Sequence, residues 1–216
     1  MAITNSDRLD VYNGALRRLG SRRLASLTEN REPRRVLDDI WNNGALVNYA
    51  LERGEWNFAL RSVQGAYNAG ITPGFGFRRA FDKPDDFRRL AGLSADEYFR
   101  RPLTAEEYTD EGGYWLSDND TIFIRYVSSH DNYGYDSSRW TESFRYYLET
   151  CLALEACERI TNSDTKLQLI ERDQRKYLTQ AKSTDAMQEG VKFRPVGAWV
   201  GSRGGGGVAG RRSRLG

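Results

Sequence analysis

The one histidine of the chain, His130, stands beside Asp131 in the polar stretch SSHDNYGYDSS. The two side chains are of the types that pass a proton between them. No nucleophile motif accompanies them, and no Cys/His cluster at ligand spacing surrounds them, so a solvated loop histidine is the better reading. Six carboxylates, Glu106, Glu107, Asp110, Glu111, Asp118 and Asp120, crowd one short region. Paired carboxylates hydrolyse glycosides or hold cations only at a set separation, which spacing along the chain does not fix. A charged hairpin surface accounts for them more simply. GITPGFGF and RGGGG are glycine-rich but match neither GxGxxG nor the P-loop pattern, and neither lies between a strand and a helix. Nucleotide binding is therefore set aside. No catalytic residue, metal ligand or cofactor is expected.

The elements that carry these residues fall into three blocks. At 216 residues the chain suits one large domain or a domain with an insertion, long enough to bury a sizeable core. With 29% charged residues and no apolar run near the roughly 18–20 needed to span a bilayer, the composition is that of a soluble protein with no membrane partner. The segment MAITNSDRLDVYNGALRRLG lacks a basic stretch followed by an apolar one, so no secretory leader is expected. Cys151 and Cys157, six apart in one expected helix, fall on different faces and read as reduced packing residues.

Leu9, Tyr12, Leu16 and Leu19 follow helical spacing, with Thr4 and Asp7 as a capping pair and Gly20 as a stop. A second helix is expected to start near Pro33, carry Val36, Leu37, Ile40, Trp41, Val47, Ala50 and Leu51 inward, and end before Gly54. The helical stripe then disappears. Candidate strands are 56–63, 77–81, 89–93, 114–116 and 121–127, separated by the turns ITPGFG, DKPDD, DEGGY and SDND. SDND, just before the clear strand TIFIRYV, reads as a hairpin loop. Helical pattern returns over about 141–160 with Phe144, Tyr147, Leu148, Cys151 and Leu152 on one face. A further helix follows a cap at Asn162, Ser163 and Asp164, with Leu167, Ile170, Tyr177, Leu178 and Ala181 inward. The fold class is α+β: an antiparallel helix bundle (1–55 and 140–189) interrupted by a β-rich insertion (56–139), with an extended C-terminal tail at 190–216.

That tail poses its own question. Six basic residues and no acid follow Glu189, so against the net +2 of the whole chain, residues 1–189 carry −4. Phe193, Trp199 and Val200 are bulky anchors in chain too glycine-rich to hold one shape alone. With only Phe193 and Trp199 as aromatics, the tail has no ladder for stacking single-stranded nucleic acid.

Taken in order, several segments resemble the head-to-tail adaptor family of short-tailed bacteriophages, also called tail tubular protein A. These are LRRLGSRRLASLTE (residues 16–29), the helix that leads into GEWNFALRS (54–62), FRRAFDKPDDFRRLAGL (77–93), a strand with Ile124 and Tyr126, two helices rich in small residues, and GAWVGSR (197–203). The turn made by Trp56, Asn57, Phe58 and Ala59 is the most recognisable signature, and Pro84 sits in the family's turn between two strands. The tail beyond Arg203 and the loop 128–139 match no family signature.

The resemblance implies a structural virion protein, made in the host cytoplasm and sited at the head–tail junction. It implies a ring of twelve copies between the portal protein and the tail nozzle protein. That ring would leave an axial channel through which genomic DNA passes without sequence-specific binding. It also implies that residues 190–216 form a flexible arm that docks on the portal, with Phe193, Trp199, Val200 and Arg203 as contacts. Arg211, Arg212 and Arg214 would meet an acidic portal surface or DNA. Two alternatives stand beside it: a tail-associated cell-wall hydrolase using Glu106, Glu107 or Asp110, and a nucleic-acid-binding protein acting through its basic tail.

Overall fold

In the computed structural model, residues 3–43 and 45–188 are described. Helix α1 (Asn5–Leu19) is capped as expected: the Thr4 hydroxyl accepts the Asp7 N–H. Gly20, at φ 70°, ends it with its own N–H on the Arg17 carbonyl, and the Ser21 N–H reaches Leu16. A left-handed glycine with these two bonds satisfies carbonyls that a helix end leaves orphaned.

The expected second helix is two helices, α2 (Glu32–Asn43) and α3 (Leu46–Glu52), which corrects the continuous reading. Asn42, Asn43 and Gly44 are poor helix formers, and Ala45 sits in the left-handed region at φ 45°. After the break, Leu46, Val47, Ala50 and Leu51 still reach the core.

Six strands follow: β1 (Leu60–Ala66), β2 (Arg79–Asp82), β3 (Phe87–Ser94), β4 (Tyr108–Glu111), β5 (Tyr114–Ser117) and β6 (Thr121–Ser128). They form two antiparallel three-stranded sheets, ordered β1-β6-β3 and β2-β5-β4. Three strand expectations change. The segment expected as strand 56–63 opens with a 3-10 turn at Asn57–Ala59, and the strand starts at Leu60. Strand β4, whose alternation of side chains is weak, was not anticipated. SDND is not a hairpin loop, because Ser117 and Thr121 belong to different sheets; it carries the chain from one to the other. The true tight hairpin is Glu111–Tyr114, where Gly112 (φ 60°) and Gly113 (φ 89°) supply the two positive φ values a two-residue turn of this twist demands.

Helices α4 (Glu142–Thr161) and α5 (Asp164–Gln188) fold back on each other through Asn162 at φ 47°. Tyr146 packs near Tyr177, and Gln174 donates to the Cys151 sulfur. α4 is the central helix, packed against α1, α2, α3 and α5. Its buried side chains include all five of the expected face, and both cysteines are free and buried. The fold is thus mixed α+β. One apolar core lies among the helices and takes in Trp56, Ala59 and Val127; a second joins the two sheets through Phe81, Leu93, Trp115, Ile122, Ile124 and Tyr126. Among the described residues, no helix is long and apolar enough to cross a membrane.

The loop 128–139, which matches no family signature, is tightly built. Gly134 donates its N–H to Ser128 O (3.1 Å), and its carbonyl accepts the Trp140 indole N–H (2.9 Å). A Cβ on Gly134 would lie 2.3 Å from Ser128 O and 2.7 Å from Leu51 Cδ1. Backbone cannot yield as a side-chain tip can. Gly134→Ala is therefore expected to cost about 2–3 kcal/mol, read as a lower urea midpoint with an unchanged slope. A midpoint equal to that of the parent protein would refute this close packing.

Candidate docking base

The segment Trp56–Ala59 joins four elements, and each residue has a distinct part. Trp56 is 1% exposed; its indole N–H donates to Ala50 O at 3.0 Å, and its ring meets Phe144 edge-on at 4.9 Å. Phe58 packs on both rings. Ala59 is fully buried and closes the turn with its N–H on Trp56 O.

Asn57 reaches across 128 positions to α5. Its backbone N–H is shared between the two Asp185 carboxylate oxygens (3.0 and 3.1 Å), and its side-chain amide donates to Asp185 O at 2.7 Å. A carboxylate in the last turn of a helix opposes the helix dipole, so Asp185 needs these donors to sit there. The clamp fixes the end of α5 against the Trp56–Ala59 turn. Beside it opens a cleft of about 330 Å³, lined by Arg53, Glu55, Trp56, Arg89, Lys182 and Asp185.

Replacing Asp185 with alanine leaves the Asn57 N–H without its acceptor. The expected cost is about 1–3 kcal/mol. Amide exchange at Asn57 and over 181–188 should accelerate, and unchanged protection there would disprove the clamp.

Pro84 starts a second structural knot. The Phe87 N–H closes a turn on Pro84 O at 2.9 Å, which presents the Asp86 carboxylate to the sheet. Tyr126 Oη (2.9 Å), Arg61 Nη1 (2.9 Å) and Ser128 Oγ all donate to it, and Asp86 O accepts the Ser129 N–H. Burial pushes the carboxyl pKa up, but the three donors together outweigh burial and hold it below its ordinary value. Lys83 in the same turn binds both Asp110 oxygens at 2.7 Å, tying the turn to β4.

Four of the six clustered acids of the sheet region are engaged by basic side chains. Asp110 pairs with Lys83, Asp118 with Arg78, Asp120 with Arg79, and Glu107 with Arg101 while also accepting the Thr104 N–H. Glu106 and Glu111 are exposed. His130 is exposed, and its Nδ1 accepts the Asn132 N–H. Among the described residues, no three His, Cys, Asp or Glu side chains are grouped to hold a metal ion.

The structure therefore brings Trp56, Asn57, Phe58 and Ala59 into one junction and places Pro84 in another. Phe193, Trp199, Val200, Arg203, Arg211, Arg212 and Arg214 lie outside the described residues. Sequence reasoning missed Asp185 and Asp86. Asp185 is one acid among many on a charged helix and carries no local signal, whereas Asp86 lies within a proline turn, which is a local signal. Comparison with known protein families finds no match, and no curated protein matches the chain.

Proposed function

We propose that the protein is a structural, non-enzymatic virion component. In this reading it is a head-to-tail adaptor that forms a ring, of twelve copies, between the portal and the tail nozzle. The ring lines the path of the ejected genome, and residues 190–216 serve as the portal-docking arm. The observation that carries the reading is the junction at Trp56–Ala59. The most recognisable segment of the resemblance is also the segment that clamps α5 at the root of the proposed arm. A docking arm works only if its base is fixed, since a loose base dilutes its effective concentration at the partner. The net −4 of residues 1–189 supports a conduit that does not grip DNA. Ordering the arm costs entropy, which burial of Trp199 and Val200 on the portal would offset.

The test is a truncation lacking residues 190–216, mixed with cognate portal rings and examined by sedimentation and electron microscopy. The truncated protein should stay folded and fail to join the rings, while the full chain adds a layer of twelve. Normal binding by the truncated protein would overturn the arm's role, and failure of the full chain to bind any portal would overturn the adaptor reading.

The basic tail favours one second reading, nucleic-acid binding through 204–216. It requires affinity that falls steeply with salt and vanishes when those residues are removed.

A further inference from the structure

Where α2, α3, α4 and α5 meet, a cleft of about 440 Å³ opens between the helices. Ile40, Leu46, Tyr49 and Cys151 give it an apolar lining. Tyr49 is 39% exposed; Arg53 stacks 4.4 Å from its ring centroid and donates to its hydroxyl at 2.7 Å. The two charged residues of the lining, Asp39 and Glu155, are both acids. Asp39 accepts the Asn43 amide at 2.6 Å and meets Arg159 only at 3.9 Å. Glu155 is exposed and forms no ion pair among the described residues.

Apolar lining and acidic rim do not coincide in the clefts nearby. The one beside Asp185 sets the cations Arg53, Arg89 and Lys182 against two acids, and no apolar side chain lines the one that ends on Glu149. The occupant that suits the four-helix cleft is therefore an apolar side chain with basic flanks. This chain owns such a segment: Trp199 and Val200 lie between Arg194 and Arg203, in a stretch with no acid after Glu189. The segment is also within reach. Gln174 lines the cleft, and from there to the end of α5 at Gln188 is roughly 21 Å along a helix, whereas residues 188–199 span up to roughly 36 Å when extended. A tethered segment meets the cleft at a high effective concentration, so it needs fewer contacts than a free partner does.

We propose that the segment 194–203 of the same chain occupies this cleft, with Trp199 and Val200 on its apolar lining and Arg194 and Arg203 toward Asp39 and Glu155. Burial of the indole offsets the entropy of ordering the segment, and the two arginines set its direction. The contact is a latch. It covers the anchor in the free protein and yields only to a partner that binds the same segment more tightly. It concerns the resting chain and stands whether or not that partner is a portal.

The test is nuclear magnetic resonance on the isotope-labelled full chain. Cross-relaxation from the Trp199 indole protons to the methyl groups of Ile40 and Leu46 is expected, at an intensity unchanged by dilution. Trp199→Ala should move the amides of 46–49 and 151–155 and leave those of the two sheets in place. Glu155→Lys, at an exposed position, should speed exchange of the Trp199 indole N–H roughly two- to fivefold, the range for losing one exposed ion pair. Cross-relaxation seen only between differently labelled chains would hand the cleft to a second copy and overturn the proposal. So would Trp199 contacts confined to any other surface, an absence of contacts, or indole exchange unmoved by Glu155→Lys.

Discussion

Replacing Trp56 with alanine is expected to destabilise the protein by about 3–5 kcal/mol, the range for truncating a fully buried large aromatic side chain. Three effects add. The ring leaves a cavity between Phe144, Phe58 and Tyr147, and a cavity at a meeting of several elements does not collapse easily. Ala50 O loses its buried donor. Gly54, whose backbone lies so close that a Cβ there would sit 2.8 Å from the indole, loses the surface it packs on. A loss of this size takes a large share of the total stability of a domain, so much of the variant should be insoluble when expressed.

Trp56→Phe separates the terms. It keeps most of the apolar contact and gives up the indole N–H bond, so its cost should be about 1–2 kcal/mol. Urea titrations of the three proteins give the comparison directly. The variants also report on the clamp, because Asn57 follows Trp56 immediately: exchange over 181–188 should quicken in Trp56→Ala and stay slow in Trp56→Phe. If Trp56→Ala came within 1 kcal/mol of the parent, the junction would not be the keystone described above.

How far these features can be read from the chain depends on the range of the physics. Helix α1 was legible at both ends because its caps are local: a Thr–x–x–Asp pair and a stopping glycine act within a few residues. Strand β6 was legible because it is central to its sheet, so Ile122, Ile124 and Tyr126 alternate with less buried neighbours. The break at Ala45 was misread because the apolar stripe continues across it, and burial rewards either side of a kink equally. Sheet membership was not legible at all. Nothing local tells Ser117 and Thr121 that they pair with different partners, since strand pairing is chosen by packing between distant segments. The same holds for the junction: Trp56–Ala59 reads as a turn from the sequence, but the Asn57–Asp185 contact spans 128 positions and exists only once α5 has docked.

Asp86 gives the second large effect, and it carries a pH signature. Asp86→Ala removes the acceptor shared by Arg61, Tyr126 and Ser128 at once. The tyrosine and serine hydroxyls are buried, so each loses a bond that water does not replace; Arg61, one-third exposed, is partly re-solvated. The expected cost is about 3–4 kcal/mol. Asp86→Asn keeps the shape but turns an N–H₂ group toward donors and removes the charge opposite Arg61, so it should fall between the two. The direction of the acid response follows from the depressed pKa of Asp86. Below the ordinary value of 3.8 the unfolded chain takes up a proton that the folded carboxylate refuses. The stability this group contributes is therefore complete above that value and is lost as pH falls through the lower, folded value. Asp7, depressed by its Thr4 and Ser137 hydrogen bonds and by Arg145 against the pull of burial, acts in the same window. Asp86→Asn should consequently flatten, without abolishing, the acid limb of a stability-versus-pH curve measured by urea titration between pH 7 and pH 3. Parallel acid limbs for the two proteins would mean that the three donors hold the residue in place without favouring its charge, and the hub would then be a matter of shape alone.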